Sequence, residues 1–426
     1  MALAGRPVEF LGVASRMNVG VACSTRPGRE SGAPVDIETL RGVRSELDTF
    51  LARFDDCFRH RASRKHLGTY VRGQLGPLQS KSVEPIALDA GVHPRNLQQF
   101  LGIYEWDDPA MARKVRHVVR DEHGCTDAIG VIDETGVAKK GTKTVGVQRQ
   151  YCGATGKVDN CVNSVHLDYV APDFHTLVDS DLYLPQSWFD DPARCEEVGV
   201  PKDLVFKTKP QIALELIART LSDGVPLKWI TADEGYGQVP AFLNGVAAHG
   251  LFYVVEVPRQ VYGWTPNGSR LRRKIRRVED LWKQGGPTWT TYSIKETTKG
   301  ELVWRVRSTV FIPSWDPKKR LRLLVAESML DGELKYFLSN APLETPVSSL
   351  LAVAFARWHV ERSFEDAKQE VGLDHFEVRG YRSVQRHLTI SMLSLLFLTR
   401  VSRRLRGEKG RPVDLLAGSG RDRRTA

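Results

Sequence analysis

Three acids stand in contexts where chemistry is possible. Asp133 closes the apolar run AIGVID, Asp233 closes WITAD, and Glu361 lies in the helix-like stretch RWHVERSFEDAKQEV. The second follows the first by 233 − 133 = 100 residues, and the third follows the second by 361 − 233 = 128. Attack on a phosphodiester needs a nucleophile made at neutral pH and charge neutralised on both the attacking and the leaving oxygen. Two divalent ions about 3.5–4 Å apart meet both needs, and hard Mg²⁺ prefers carboxylate oxygens. Three converging acids are a minimal ligand set for such a pair. Taken singly, each acid also has a plain explanation: Asp133 caps a turn, Asp233 caps the helix after EGYGQ, and Glu361 is solvated on an exposed face.

The third acid has company. Arg357, Glu361, Glu365 and Lys368 follow one another at offsets of four, four and three residues, which puts all four on one helix face. Glu365, one turn from Glu361, is the alternative metal ligand. Glu134 and Glu234 directly follow the two aspartates, and neighbours on a strand point to opposite faces. Both are expected outside the ligand set.

The elements that must hold these acids can be traced along the chain. Residues 1–35 are rich in Gly, Ser, Arg and Pro and read as a loose leader. From Asp36 the pattern is helical, with Leu40, Val43, Leu47, Leu51 and Phe54 on one stripe. Residues 36–125 thus form a helical domain, expected to bind DNA. Within it, KSVEPIALDAGVHPRNLQQFLG (81–102) outlines two short helices broken around Gly91. That is a possible helix-turn-helix whose second helix, near Arg95 to Leu101, could enter a major groove; a plain helical hairpin fits equally.

Strand-like texture begins at AIGVIDETG and continues through TVGVQRQYCG (144–153) and DNCVNSVHLDYV (159–170), a meander of three strands. A helix over 209–224 precedes the strand LKWITAD; a helix at 239–250 and a strand at 251–258 follow. Residues 126–260 therefore read as an α/β layer, residues 261–342 as a β-rich insertion, residues 343–405 as C-terminal helices, and residues 406–426 as a basic tail. From Arg400 onward, nine Arg or Lys stand against three acids, 9 − 3 = +6.

The whole chain of 426 residues carries 61 basic and 51 acidic residues, a formal net charge of +10, which favours a polyanionic partner. Six scattered cysteines without a CxxC pair argue against a structural zinc and fit a reduced setting. The longest apolar run, SMLSLLFL at 391–398, falls far short of the ~20 residues of a membrane span. No membrane partner and a cytoplasmic location are expected. Lys139, Lys140 and Lys143, in a Gly-containing loop after the first aspartate, read as DNA contacts or as a solvated loop. Arg270, Arg272, Arg273, Lys274, Arg276 and Arg277 meet no acid until Glu279 and read as a phosphate-binding patch. Trp264, Trp282, Trp289, Trp304 and Trp315 read as core or half-buried residues of the insertion.

The stretch RWHVERSFEDAK resembles the Tyr-(2)-Arg-(3)-Glu-(6)-Lys signature of DDE transposases encoded by bacterial insertion sequences, with Arg357, Glu361 and Lys368 in register. Ala354 stands where that signature has Tyr. VIDETGVAKKGTKTVGVQRQYCG is similar to the first-aspartate block of the same family, WITADEGYG to the second, and GLDHFEVRGYRSVQRHLTISMLSLLFL follows the family pattern downstream.

The resemblance implies an α/β, RNase H-like mixed sheet flanked by helices that brings Asp133 and Asp233 together, with Glu361 supplied by a helix after the β-rich insertion. It implies two Mg²⁺ ions, replaceable by Mn²⁺, with Asp133 bridging and Asp233 and Glu361 each holding one. Arg357 and Lys368 would hold phosphates of the DNA strand. The implied activity is cleavage at the element's ends, then transfer of the freed 3′-hydroxyl to target DNA. Implied partners are double-stranded DNA and a second copy of the chain in a synaptic dimer. A regulator derived from such an enzyme, and a nuclease that cuts without joining, are the alternatives.

Overall fold

The computed structural model describes residues 37–266, 275–281, 288–297 and 300–406. The leader, and the basic tail beyond Arg406, lie outside them. Five helices open the described chain: α1 (Ile37–Ala52), α2 (Arg61–Leu75), α3 (Val83–Asp89), α4 (Pro94–Gly102) and α5 (Asp108–His123). Their boundaries have local causes. The Asp107 carboxylate accepts from Ala110 N at 2.8 Å to start α5. His93 Nδ1 accepts from Arg95 N at 3.2 Å to start α4. The stripe Val43, Leu47, Leu51 and Phe54 is buried.

Strands β1 (Ile129–Ala138), β2 (Gln148–Cys152), β3 (Lys157–Ala171) and β4 (Phe174–Tyr183) follow. The expected three-strand meander is differently made. β3 pairs antiparallel with β1 along one edge, and with β2 and then β4 along the other. The segment at 144–153 supplies only the five-residue β2, while β4, which periodicity did not single out, completes the antiparallel trio.

Helix α6 (Lys209–Ser222), strand β5 (Trp229–Ala232), helix α7 (Pro240–Ala248) and strand β6 (Phe252–Glu256) come next. β5 pairs parallel with β1, and β6 parallel with β5. Three antiparallel strands beside two parallel ones make the RNase H-like mixed sheet that the resemblance implies.

The insertion runs through β7 (Tyr262–Trp264), β8 (Arg276–Arg277), β9 (Thr290–Thr297), β10 (Gly300–Pro313), β11 (Leu321–Ser328) and β12 (Leu334–Ser339). It is no detached module. β12 pairs antiparallel with β6, so among the described residues twelve strands form one sheet.

Three helices close the described residues: α8 (Val347–Phe355), α9 (Trp358–Val371) and α10 (Tyr381–Arg406). The apolar run at 391–398 lies inside α10 and is buried, and no helix among the described residues is long and apolar enough to cross a membrane. Arg386, 1% exposed, donates to the carbonyls of Phe100, Leu101, Tyr104 and Trp106. α10 thereby caps the end of α4. The helices of residues 37–123 share one hydrophobic core with the sheet.

Candidate active site

β1 and β5 set the first two acids side by side. Their parallel register ends at Ile132 opposite Ala232, so Asp133 and Asp233 are the next residues on neighbouring strands, which lie ~4.8 Å apart. The apolar runs Val131–Ile132 and Trp229–Ala232 are buried and bring both acids to the same edge of the core. Asp233 ends its strand by capping the helical turn Glu234–Gly237: its Oδ1 accepts from Gly235 N at 2.9 Å and Tyr236 N at 3.4 Å. Gly237 allows β6 to come close, since a Cβ there would sit 1.9 Å from Glu256 O.

Asp133 stands opposite His166 on antiparallel β3, and directly opposed residues share a face. That face is covered by α9. Val360, Phe364, Ala367 and Val371, spaced by four, three and four, form the buried stripe of this helix. His166 meets the Phe364 ring edge-on at 5.2 Å. The helix stops at Gly372, whose φ of +71° is left-handed.

Arg357, at the start of α9, spans two acids. Nη1 lies 3.3 Å from Asp133 Oδ2 and Nη2 lies 3.5 Å from Glu361 Oε1. The Asp133 side chain is 15% exposed and that of Glu361 63%, so Glu361 reaches toward solvent beside a sunken aspartate. Glu365 turns away to Arg362 at 3.0 Å and to Gln369. Glu134 points to the opposite face, where Lys209 Nζ and Tyr236 Oη each donate to it at 2.6 Å. Glu234 is exposed.

The electrostatics follow from this packing. Burial pushes the Asp133 carboxyl up to about 7; Arg357 opposes, while the charges of Asp233 and Glu134 add. Asp233 is raised too, by burial and by Glu134, with Arg357 opposing. Two adjacent carboxyls, both raised by burial, form an all-oxygen set suited to a hard cation. In chemistry the donors fit a divalent ion. In position they are not yet gathered: among the described residues no three His, Cys, Asp or Glu are close enough to hold one ion, and the Arg357 guanidinium stands between Asp133 and Glu361.

The basic residues separate into two kinds. Lys140 and Arg95 are exposed, and Lys143 is exposed but paired with Glu197 at 2.6 Å. Lys139 turns inward, against the expectation of a DNA contact. Its amine lies 3.7 Å from the centre of the Phe376 ring and donates to Phe376 O, and burial pulls it down to about 8. Lys368 is half-buried, and its charge acts with burial to push His166 down to about 3. Arg277 donates to Tyr262 Oη at 3.2 Å and pairs with Glu279 at 3.4 Å, and Arg276 is half-buried beside it in β8. Arg270, Arg272, Arg273 and Lys274 lie outside the described residues, as does Trp282. Trp264 and Trp304 are buried; Trp289 and Trp315 are half-buried.

Beneath Glu361 lies a polar layer that the sequence reading did not single out. Ser363 Oγ donates to Asp168 Oδ1 at 2.9 Å and also meets His175 Nδ1 at 3.0 Å. Ser164 Oγ meets His166 Nε2 at 2.7 Å. The available signal was the alternation Ser164, His166, Asp168, interleaved with Val165, Leu167 and Tyr169.

Residues 53–300 match the family described as DDE superfamily endonuclease, and residues 207–397 the family described as transposase DDE domain. The first span contains Asp133 and Asp233, the second Asp233 and Glu361. The probable transposase for insertion sequence element IS701 from Microchaete diplosiphon is 25% identical over 321 residues, covering 74% of this chain and 76% of its own. A solved structure, the NurA nuclease from Sulfolobus solfataricus, aligns with 60% of this chain and 89% of its own at 8% identity. Its TM-score of 0.26 is too low to bear on fold or activity.

Proposed function

Because this chain belongs to the DDE superfamily of endonucleases, we propose that it is a transposase that binds the ends of its insertion sequence, cuts there and joins the freed ends to target DNA. The observation that carries the reading is the meeting of Asp133 and Asp233 at the matched ends of parallel strands, with Arg357 and Glu361 beside them. Asp133, Asp233 and Glu361 would hold divalent ions, Mg²⁺ with Mn²⁺ as substitute. Such a pair supplies charge neutralisation for the attacking and leaving oxygens when bound.

The chain's own groups have separable tasks. Asp133 and Asp233 are fixed by strand pairing and by backbone hydrogen bonds, so their oxygens are already placed to hold a cation between them and the phosphate. Arg357 has a planar fork suited to phosphate; as the DNA strand arrives it exchanges its two carboxylates for phosphate oxygens, which frees Asp133 and Glu361. Lys368 and Lys140 add positive charge around the same strand, and Lys143 joins them if its ion pair with Glu197 opens. Arg276 and Arg277 extend the phosphate track along the insertion. End recognition falls to α4, whose Arg95 and Gln98 are exposed. In the first step water attacks phosphorus and the bond to the 3′-oxygen breaks. In the second, the freed 3′-hydroxyl attacks a target phosphodiester and displaces its 3′-oxygen. Two ends must be held together, so the functional unit is a dimer assembled on DNA.

The test is cleavage and joining on a labelled duplex carrying the element's own ends, with Mg²⁺ or Mn²⁺, for wild type, Glu361→Gln and Glu365→Gln. Wild type and Glu365→Gln are expected to cut and join, while Glu361→Gln binds the duplex and does neither. Cutting without joined products would make the chain a nuclease, and binding without cutting a regulator.

A further inference from the structure

We propose that Lys81 is a positioning residue, tying the helix that carries Glu361 to the helical layer so that a load on α3 and α4 is felt at the active site. Lys81 is 3% exposed and lies two residues ahead of α3. Its ammonium donates to Gln74 O at 2.5 Å, to Gly76 O at 2.9 Å and to Glu370 O. Two of these carbonyls belong to the last turn of α2 and the residue that caps it; the third belongs to the last turn of α9. Terminal helix carbonyls lack partners within their own helix, and the negative end of the helix dipole favours a cation. A single ammonium therefore satisfies the ends of two helices and holds them together.

The surroundings make this tie a junction. Lys81 N donates to His375 Nδ1 at 3.0 Å. His387 of α10 approaches Gly372 O at 3.2 Å and Leu373 O at 3.1 Å with Nε2, while its Nδ1 meets Tyr70 Oη of α2 at 2.9 Å. Lys139, at the end of the strand that carries Asp133, donates to Phe376 O. The exit of α9 is thus held from the connection before α3, from α10 and from β1. Glu361 lies 370 − 361 = 9 residues back along α9, roughly 14 Å at 1.5 Å per residue. A helix is stiff over that length, so tilting it at the Lys81 end moves the acid at the other. Arg386 fixes α4 to α10, whose His387 gives a second, longer path to the exit of α9; the connection through Lys81 is the short one from α3.

The inference rests on the proposal that α4 meets DNA, and one experiment distinguishes the two. Hydrogen exchange of the full chain is followed with and without a duplex carrying the element's end, for wild type and Lys81→Met, alongside duplex affinity and cleavage rate. In wild type the duplex should slow exchange at least fivefold at 83–102 and at 366–376. In Lys81→Met the slowing at 83–102 should remain and that at 366–376 should shrink at least threefold, with affinity within twofold and cleavage at least tenfold slower. Equal slowing at 366–376 in both proteins, or none there in wild type, overturns the coupling. No slowing at 83–102 overturns α4 as the reader, and the coupling with it. If Lys81→Met does not fold, Lys81→Gln keeps two of the three donors; a partial loss of slowing at 366–376 supports the proposal and an undiminished one overturns it.

Discussion

Replacing Asp168 by asparagine should flatten the dependence of stability on pH. Asp168 is fully buried on β3; one carboxyl oxygen accepts from Ser363, and the other has no hydrogen-bond partner. Burial pushes the group from an ordinary 3.8 up to about 8, against the lowering effect of the Ser363 hydrogen bond. Between those values the folded chain keeps a proton that the unfolded chain has released. Stability therefore falls as pH rises from about 4 to about 8 and levels off above. At about 1.4 kcal/mol per unit the interval sets a ceiling near 6 kcal/mol, and relaxation around the buried charge brings the expected loss to about 2–4 kcal/mol. Asparagine keeps the acceptor for Ser363 and cannot ionise. Its amide adds a buried donor that costs about 1–3 kcal/mol at every pH. Urea unfolding of both proteins from about pH 5 to about pH 9 isolates the effect, because other titrating groups cancel in the difference. Wild type should be the more stable at the acid end and lose that lead by the alkaline end. Parallel curves would refute the assignment of a buried, protonated Asp168.

Four further outcomes follow from the site and its supports. Arg357→Gln leaves the ionised acids without their counter-ion, so thermal unfolding should show a loss of about 1–3 kcal/mol above pH 7 and a smaller one near pH 6, where Asp133 is mostly protonated. Gly237→Ala puts a methyl group against Glu256 O, and urea denaturation should register a loss of about 3 kcal/mol, with the Asp233 turn displaced. Lys139→Met should lower stability by about 1–2 kcal/mol through its lost hydrogen bond to Phe376 O and leave duplex affinity within about twofold. Lys140→Ala should do the reverse, weakening binding and reducing the salt dependence by about one phosphate contact.

What could be read from the sequence depended on whether the cause was local. Strands that end in an acid, the shared face of Arg357 and Glu361 on α9 and the break at Gly91 are fixed by neighbours a few residues away, and the periodicities of two and 3.6 reveal them. Strand β4 was missed because Asp179 and Asp181 interrupt its apolar pattern. Those acids are tolerated because Arg116 of α5 and Arg219 of α6 reach them, Arg116 at 3.1 Å from Asp179 and Arg219 at 3.0 and 3.3 Å from Asp179 and Asp181. A residue-by-residue reading could not supply those cations. Lys139 was misread for the same reason: KKGTK reads as an exposed basic loop, and only the return of residues 372–376 against the end of β1 buries its first lysine.

Arg357 shows where the division falls within a single residue. The offset of four puts it on the Glu361 face of its helix, and the structure keeps the two side by side. Its closer partner is Asp133, 224 residues earlier, and that contact exists because β1 and β3 present Asp133 and His166 on the face that α9 covers. The helix pattern says which residues share a face, while the sheet register says what the face meets. Only the two together put a guanidinium between the acids and give it alternative partners, the carboxylates now and a phosphate when one arrives. A duplex without divalent ions should therefore weaken the Arg357–Asp133 contact, and the Asp133 carboxyl, deprived of its cation, should titrate higher with DNA than without it. Carbon-13 NMR of labelled aspartate, assigned with Asp133→Asn, reads that shift directly; a titration unmoved by the duplex would mean that Arg357 stays with its acids and that the phosphate is held elsewhere.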